Sequence, residues 1–341
     1  MRQREKYSVR GGRRPGADRG MWPGGCNTWG TFADCCDSWL EVKALGVKTS
    51  SLIKYERDME NHIKPFFGEQ LPGDITPEDI KGFTQALLYE RELSSGTVRG
   101  ILVTLHSVLS YIERRTEFRL QKPEVIYPKD ERKMVRVLDK KEEAQLVNFL
   151  IDKMDLCRLG VYMAIRTGIR IGELCALRWR DISFETCTIF IRHTVQRMKN
   201  MDSAAGMKTR LALGTPKSDS SDRAIPLMPD LEVLCHAFYP EEPDAFVLTG
   251  TGQCMDPRKL QRRLKKYADA CGLEGIHFHT LRHTFATRCV ESGFDMKTLS
   301  EVLGHSDIGI TMNRYVHPDM EVKRANMSRL KPVLQFDGAV R

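Results

Sequence analysis

Near the C-terminus, residues 279–283 (HTLRH) are followed by 303–305 (LGH) and 315–317 (YVH). This stretch places histidines, an arginine and a tyrosine in one short part of the chain. A tyrosine phenol has a pKa of about 10, so it attacks only when other groups accept its proton and stabilise the developing charge. Arginine and imidazole groups do this at a phosphorus centre. The pattern suggests a tyrosine nucleophile that needs further cationic groups from elsewhere in the chain.

The bulk composition is that of a protein with more than one core. The chain has 341 residues, of which 41% are hydrophobic and 29% charged. It contains no apolar run long enough for a membrane helix and begins without the apolar segment of a secretory signal. Its 10 cysteines include no CxxC pair. These features predict reduced thiols, a cytoplasmic location and no membrane partner.

The positive charge is concentrated at the start of the chain. The net charge is +8, and residues 1–20 contain seven Arg or Lys against two acidic residues. Residues 1–28 also have many glycines and no hydrophobic periodicity, which predicts a disordered basic leader. Such a segment either binds phosphate backbones without sequence preference or is a solvated tail.

Capping signals and apolar periodicity predict a four-helix unit before residue 123. Thr31 is expected to cap the first helix, and Thr76 followed by proline to cap the third. Pro65 is expected to end the second helix. The predicted helices are 32–45, 51–63, 76–92 and 97–114. The last of these has an apolar stripe of Ile101, Leu105, Val108, Leu109 and Ile112.

A polar, proline-containing stretch at 123–133 predicts a domain boundary. After it, Asp139 and Glu142 form a capping box. β-branched residues predict a strand at 186–195, and 223–227 is predicted to return beside it with Lys217 near the turn. Residues 197–214 are interpreted as a long polar stretch. The predicted helices are 139–154, 155–167, 170–177, 230–238, 257–271, 281–292, 296–303 and 308–316.

Two arginines share one predicted setting. Arg170 follows Gly168, which can end one helix, and precedes the next; Arg282 is expected in the first turn of a helix opened at Thr280. Both would lie beside unpaired N–H groups, where an anion is attracted, and two guanidinium forks suit one phosphodiester. Either arginine alone is also typical of a surface ion pair. Glu173 either orients Arg170 or favours the helix N-terminus.

Four blocks together resemble the tyrosine recombinases, also called the phage integrase family. They are 167–174 (TGIRIGEL), 279–282 (HTLR), 303–305 (LGH) and Tyr315, which lies ten positions after His305. Residues 215–227 resemble the family hairpin that carries a lysine, and the helical unit resembles its SAM-like core-binding domain. The resemblance covers residues 29–325, with the motifs in family order.

The resemblance implies a mainly α fold with a small antiparallel β-sheet. A helical SAM-like core-binding domain would precede a mixed α/β tyrosine-recombinase catalytic domain. The C-terminal tail would dock on a neighbouring protomer, or pack as a helix in cis. The expected divisions are 1–28 for the leader, 29–121 for the core-binding domain, 122–133 for the linker, 134–318 for the catalytic domain and 319–341 for the tail.

The resemblance also implies residue roles at the scissile phosphate. Tyr315 would be the nucleophile that forms a 3′-phosphotyrosine link and frees a 5′-hydroxyl. Arg170 and Arg282 would stabilise the pentacoordinate state, with Glu173 in support. His305 would donate a hydrogen bond to a non-bridging oxygen.

Two further groups would handle protons. His279 would assist removal of the tyrosine proton, and Lys217 would protonate the leaving 5′-oxygen as general acid. Lys217 is preferred over Lys199 and Lys208 because it lies in a Pro-Lys-Ser context before Arg223. The long hairpin before it resembles the β-insertion of integrases from conjugative transposons, and would contact DNA or a neighbouring subunit, or form a plain surface loop.

The implied function is site-specific recombination by a mobile-element integrase. Its partners would be double-stranded DNA recombination sites, a homo-tetramer on DNA, and an excisionase or accessory bending protein. No cofactor is implied, and the enzyme would act in the cytoplasm at the bacterial nucleoid. The alternatives are a dimer-resolving or inversion recombinase of the same family and a DNA-binding protein that does not cleave.

A metal-dependent hydrolase is a more distant alternative. His279 and His283 are four positions apart, a spacing that suits zinc, and His277 and His305 are nearby in sequence. No glutamate accompanies them as in HExxH. The intervening Arg282 also disfavours a dication there.

Overall fold

The computed structural model describes residues 30–115, 125–129, 135–200, 209–215, 222–304, 324, 327 and 328. These residues form two compact units, one before and one after residue 132. The described part is mainly α-helical with short antiparallel strands, which confirms the predicted fold class. No described helix is long and apolar enough to cross a membrane.

The N-terminal unit contains the four predicted helical segments. Thr31 caps the first: its Oγ1 accepts from the Asp34 N–H at 3.4 Å, while the Asp34 carboxylate accepts from the Thr31 N–H at 2.7 Å. Thr76 is the N-cap of the third segment, as predicted, and it forms the same reciprocal box with Asp79. The helices are α1 (Phe32–Ala44), α2 (Thr49–Asp58), α3 (Lys64–Phe67), α4 (Pro77–Gln85) and α5 (Ser95–Arg115).

The prediction that Pro65 ends the second helix is wrong. The chain stays helical from α2 through a π-helical turn, Met59–Ile63, into α3, which ends at Phe67. Proline has no N–H to offer the carbonyl four residues before it, that of Asn61. Arg91 Nη1 donates to this carbonyl at 2.9 Å. A tertiary contact thus replaces the lost bond and lets the helix continue through the proline.

Aromatic rings and the predicted stripe of α5 form the core of this unit. The Phe67 ring packs against those of Phe32, Phe66 and Phe83, with centroids 4.8 to 5.9 Å apart. The predicted stripe is buried on the inner face of α5, which confirms its periodicity; it comprises Ile101, Leu105, Val108, Leu109 and Ile112.

The C-terminal unit begins with helices whose ends follow the predicted signals. Asp139 and Glu142 form the capping box of α6, and Gly168 ends α7 in the left-handed conformation with φ 64°. The helices are α6 (Lys140–Asp152), α7 (Leu156–Thr167), α8 (Ile171–Ala176), α9 (Pro229–Ala237), α10 (Pro257–Ala270), α11 (Phe278–Glu291) and α12 (Met296–Leu303).

The β-structure differs from the prediction of one long strand and a loop. Residues 186–195 are divided between two sheets, and the stretch 197–214 contains a strand. The strands are β1 (Ile182–Ser183), β2 (Thr188–Ile191), β3 (Thr194–Lys199), β4 (Thr209–Gly214) and β5 (Arg223–Pro226).

The pairing of the strands explains why the single strand at 186–195 and the loop at 197–214 are wrong predictions. β2 lies between β1 and β5, antiparallel to each, so the predicted pairing with the returning strand is confirmed. β3 instead pairs with β4, from Thr194 opposite Gly214 to Lys199 opposite Thr209. Backbone hydrogen bonds to a partner, rather than a run of buried apolar residues, define β4.

The helix that carries HTLRH also begins earlier than predicted. α11 starts at Phe278 with His277 at its N-cap, so Arg282 lies in the second turn and not in the first. The prediction that Arg282 lies beside unpaired N–H groups at a helix start is therefore wrong. The helix predicted at 308–316 lies outside the described residues.

Candidate active site

Arg170 lies in the sharp connection between α7 and α8. Its Nη1 donates to Glu173 Oε1 at 2.7 Å, and its Nη2 donates to the carbonyl of Gly304 at 2.7 Å. The connection is tight because Gly168 has φ 64°, a conformation that costs other residues about 1–2 kcal/mol. Gly168 thus lets the chain turn so that Arg170 reaches the end of α12.

Glu173 is the buried acid of the site. It is 3% exposed, and its Oε2 accepts from the Arg170 N–H at 3.1 Å and from Arg223 Nη2 at 2.9 Å. Burial raises the pKa of this carboxyl, but Arg223 and Arg170 lower it more, so the net pKa lies below the usual value. The carboxylate is therefore ionised at neutral pH. Glu173 makes both of the contacts that the sequence suggests: one with the Arg170 side chain and one with the backbone N–H at the start of α8.

Arg282 lies deeper than Arg170. It is 4% exposed, and it donates from Nη1 to the carbonyl of Gly168 and from Nη2 to that of Leu303, each at 2.7 Å. These two bonds go to main-chain oxygens, so they tie Arg282 to the ends of α7 and α12. A charge-assisted hydrogen bond to a carbonyl satisfies an oxygen that the helix end leaves without an intrahelical partner.

Arg170 and Arg282 converge on consecutive carbonyls, those of Gly304 and Leu303. The two residues come from chain segments 112 positions apart and reach the same helix end. Among the described residues, Arg223 brings the cluster to three guanidinium groups against the carboxylate of Glu173. A partly desolvated surplus of positive charge attracts an anion, and paired guanidinium forks match phosphate oxygens.

Arg223 belongs to the cluster but was not among the predicted site residues. It is the first residue of β5 and is 9% exposed, and its Nε donates to the carbonyl of Val302 at 2.6 Å. A signal was available in the sequence, since Arg223 alternates with Ile225 and Leu227, both buried. A charged residue on the inward face of a strand implies a buried partner.

His279 lies on the first turn of α11, three positions before Arg282 and so on a neighbouring part of the same face. Its side chain is exposed, whereas His283 is buried, and their ring centroids are 6.4 Å apart.

Three predicted site residues, Lys217, His305 and Tyr315, lie outside the described residues. The described chain does reach both sides of the lysine segment, at Thr215 and Asp222, and ends its main run at Gly304, directly before His305. Lys208, one alternative to Lys217, is also outside. The other, Lys199, is the last residue of β3.

Two family models match the chain. One described as the phage integrase family matches residues 136–322, and one described as the phage integrase N-terminal SAM-like domain matches residues 31–88. A tyrosine recombinase XerC-like protein of Caldanaerobacter subterraneus subsp. tengcongensis is 27% identical over 314 residues, which cover 84% of this chain and 79% of the relative.

Solved structures show the same fold. The Tn1549 transposon integrase in complex with transposon right end DNA has a TM-score of 0.71 at 21% identity, covering 88% of this chain and 99% of that one. A lambda integrase tetramer bound to a Holliday junction has a TM-score of 0.61 at 18% identity, covering 85% and 79%. Because the phage integrase model matches more than half of the chain, the chain belongs to the phage integrase family and is a tyrosine recombinase, an enzyme that cleaves and rejoins DNA through a tyrosine intermediate.

Proposed function

We propose that this recombinase integrates and excises a mobile genetic element by acting at double-stranded DNA recombination sites. Two features support a mobile-element role over the other roles in the family. The chain shares its fold with a transposon integrase. It also carries the β3–β4 hairpin before Lys217, where a β-insertion was expected from the resemblance to conjugative-transposon integrases.

The observation that carries the proposal is the convergence of Arg170 and Arg282 at the end of α12. In the proposed reaction the two guanidinium groups bind the non-bridging oxygens of the scissile phosphate. They stabilise the charge of the pentacoordinate state, and Glu173 holds Arg170 in place through its 2.7 Å contact. Tyr315 attacks the phosphorus and forms a 3′-phosphotyrosine link.

The remaining roles concern protons and the second non-bridging contact. Lys217 protonates the leaving 5′-oxygen, and His279 assists removal of the tyrosine proton. His305 donates a hydrogen bond to the phosphate. The 5′-hydroxyl of a partner strand then attacks the link and releases Tyr315. The phosphotyrosine conserves the energy of the broken bond, so the proposed reaction uses neither ATP nor a metal ion.

A basic surface on α10 supports DNA as the partner. Two of its inward-facing residues, Leu260 and Leu264, are fully buried, which leaves a charged outer face. Clustered Lys and Arg side chains bind phosphates by counterion release, so binding should weaken strongly as salt rises. The exposed basic residues are Arg258, Lys259, Arg262, Arg263, Lys265 and Lys266.

The proposed assembly follows the predicted domains. Residues 29–121 form the core-binding domain, 134–318 the catalytic domain and 122–133 the linker between them. The leader, 1–28, contributes unspecific contacts to DNA, and the tail, 319–341, docks in trans within a homo-tetramer. The enzyme acts on nucleoid DNA in the cytoplasm, and an excisionase or bending protein sets the direction.

A second candidate function is dimer resolution or inversion by the same chemistry. Several relatives are named XerC, among them one 27% identical over 282 residues, and these names fit that role. The two candidates differ in where the enzyme becomes covalently attached to DNA, and not in the residues that carry the reaction.

Trapping covalent adducts in cells without a crosslinker tests both the chemistry and the role. The protein is recovered under denaturing conditions and the attached DNA is sequenced. The mobile-element proposal predicts adducts at the two ends of an element; attachment at one site on each replicon would instead support resolution. Tyr315→Phe should abolish the adduct while leaving DNA affinity unchanged, because the ring remains and the nucleophile is lost.

The matched control is Tyr239→Phe, which removes the hydroxyl of a tyrosine that is 41% exposed in the same unit. This change keeps the ring contact with Trp179 and should leave adduct formation as in the wild type. An adduct that survives Tyr315→Phe would contradict the assignment of the nucleophile. Absence of any adduct from the wild type in cells that carry out recombination would contradict the proposed chemistry.

A further inference from the structure

Arg223 connects three of the segments that contribute to the proposed site. It begins β5, and it follows the Lys217 segment after five intervening residues. Its side chain points into the unit, on the same face of the strand as Ile225 and Leu227. Through this position it meets both α8 and α12.

One guanidinium group makes both contacts. Nε donates to the carbonyl of Val302 at 2.6 Å, and Nη2 donates to Glu173 Oε2 at 2.9 Å. The other oxygen of Glu173, Oε1, accepts from Arg170 at 2.7 Å. Arg223 therefore ties the end of α12 to the carboxylate that also holds Arg170.

The end of α12 is held by arginines from three separate parts of the chain. The carbonyl of Val302 accepts from Arg223, that of Leu303 from Arg282, and that of Gly304 from Arg170. Carbonyls in the last turn of a helix have no intrahelical partner and carry the negative end of the helix dipole. Guanidinium groups are well suited to this place because each can donate in two directions at once.

The three arginines have different roles in the proposed reaction. Arg170 and Arg282 are assigned to the scissile phosphate, whose charged oxygens compete with neutral carbonyls for the same donors. Arg223 has no assigned contact with DNA, and its carboxylate partner is internal. It can keep the end of α12 in place when the other two guanidinium groups turn toward the phosphate.

We propose that Arg223 is a positioning residue that fixes the C-terminal end of α12 against Glu173 during DNA cleavage. The inference rests on the proposed function. His305 follows Gly304 directly in the sequence. Fixing the end of α12 therefore fixes the point from which the chain continues to His305 and Tyr315. β5 is held by the same contact, which also fixes one end of the Lys217 segment.

Arg223→Gln removes the charge and cannot span both partners. The expected result is a single-turnover cleavage rate lower by about 100-fold, the size of loss that a misplacement of about 1 Å produces. DNA affinity should change by less than about threefold, because the proposed reaction assigns Arg223 no contact with a phosphate. Arg223→Lys keeps the charge and should recover part of the rate, since an ammonium group can serve one of the two partners.

The experiment has two arms. Hydrogen exchange of the protein without DNA follows the amides of residues 300–304, which should exchange faster in Arg223→Gln when the helix end is released. Single-turnover adduct formation on a nicked duplex, with the DNA sequence taken from adducts trapped in cells, measures the rate at saturating protein.

The matched control is Arg288→Gln, which removes a guanidinium bonded to Glu143 at 2.7 Å and to the carbonyl of Leu138 at 2.8 Å. Arg288→Gln should leave both the exchange of residues 300–304 and the rate of adduct formation unchanged.

Unchanged exchange at residues 300–304 in Arg223→Gln would overturn the inference whatever the DNA result. Faster exchange with an unchanged cleavage rate would overturn the role in the reaction. A wild type that forms no adduct would contradict the proposed function, and the exchange arm would still decide whether Arg223 fixes α12. If Arg223→Gln does not fold, Arg223→Lys decides by the same readouts, with intermediate exchange and an intermediate rate expected.

Discussion

Gly168 shows how one residue without a side chain prepares the site. Its φ of 64° lets α7 end and the chain turn back, and its carbonyl accepts from Arg282 Nη1. A Cβ atom added there would lie 2.5 Å from Phe285 Cδ1 and 3.0 Å from Leu303 Cδ2. The glycine is thus needed both for the backbone conformation and for the close approach of α11 and α12.

Gly168→Ala should destabilise the protein by more than the conformational strain of about 1–2 kcal/mol. The added methyl group also displaces Phe285 or Leu303, so a total near 3 kcal/mol is expected, as for overpacked core positions. The matched control is Gly272→Ala, with φ 68° and no heavy atom within 4 Å of the added Cβ. Chemical denaturation measures both, and equal losses in the two variants would show that the approach of Phe285 and Leu303 is unimportant.

At the residue scale, the sequence predicted which groups meet but not all of the contacts that hold them. Arg170, Glu173 and Arg282 were chosen from local patterns and lie together in the structure. The alternation of Arg223 with Ile225 and Leu227 indicates an inward-facing side chain, but it does not identify the partners, Glu173 and Val302, which are 50 and 79 positions away. Local spacing carries no information about a contact that depends on the tertiary fold.

At the element scale, caps and periodicity predicted most helices, whereas tertiary contacts decided the exceptions. The N-caps at Thr31, Thr76 and Asp139 are local, so they could be recognised in the sequence. Passage of the second helix through Pro65 depends on Arg91, which is 30 positions from the carbonyl it binds. β4 was interpreted as part of a polar stretch because its pairing with β3 is visible only in the fold.

Asp256 joins the β3–β4 hairpin to α10. It is the N-cap of α10, where Oδ1 accepts from the Arg258 N–H at 2.9 Å, and its Oδ2 accepts from Arg197 Nη2 at 2.5 Å. Burial raises the pKa of this carboxyl, but its bonds with Arg197 and the Arg258 N–H lower it more, so the net pKa lies below the usual value. The stabilisation is present above the ordinary pKa and is lost as the pH falls through the lower folded value.

Asp256→Asn should cost about 1.5–3 kcal/mol at pH 7, because the cap acceptor remains while the charge-assisted bond is lost. Asp256→Ala should cost about 1 kcal/mol more, because the cap is lost as well. The control is Asp155→Asn at the N-cap of α7, where the Asp155 Oδ1 accepts from the Arg158 N–H at 2.8 Å. Its free energy of unfolding should stay within about 0.5 kcal/mol of the wild-type value. Urea denaturation at pH 7 and pH 3 measures these stability losses. Equal stability of Asp256→Asn and the wild type at pH 7 would contradict a stabilising ion pair.

At the scale of the whole molecule, the two units have separate hydrophobic cores. The N-terminal cluster contains buried residues from Phe32 to Ile112, and the two C-terminal clusters contain buried residues from Leu138 to Leu303. Each unit also has a buried tryptophan, Trp39 at 2% exposure and Trp179 at 0%. The other two tryptophans, Trp22 and Trp29, precede the described residues. Fragments 30–129 and 135–341 therefore carry one tryptophan each, and that tryptophan is buried.

Fragments 30–129 and 135–341 should each fold alone, because each contains the complete set of apolar residues that forms its core. Each should show tryptophan emission that is blue-shifted relative to its denatured state and a single cooperative transition in urea. The larger fragment should have the steeper dependence on urea, because that slope increases with the surface exposed on unfolding. The control is Trp39→Phe in fragment 30–129, which should remove the emission and retain the helical circular dichroism. Fragments that emit in buffer as they do in denaturant, and regain the shift only when mixed, would show that the two cores depend on each other.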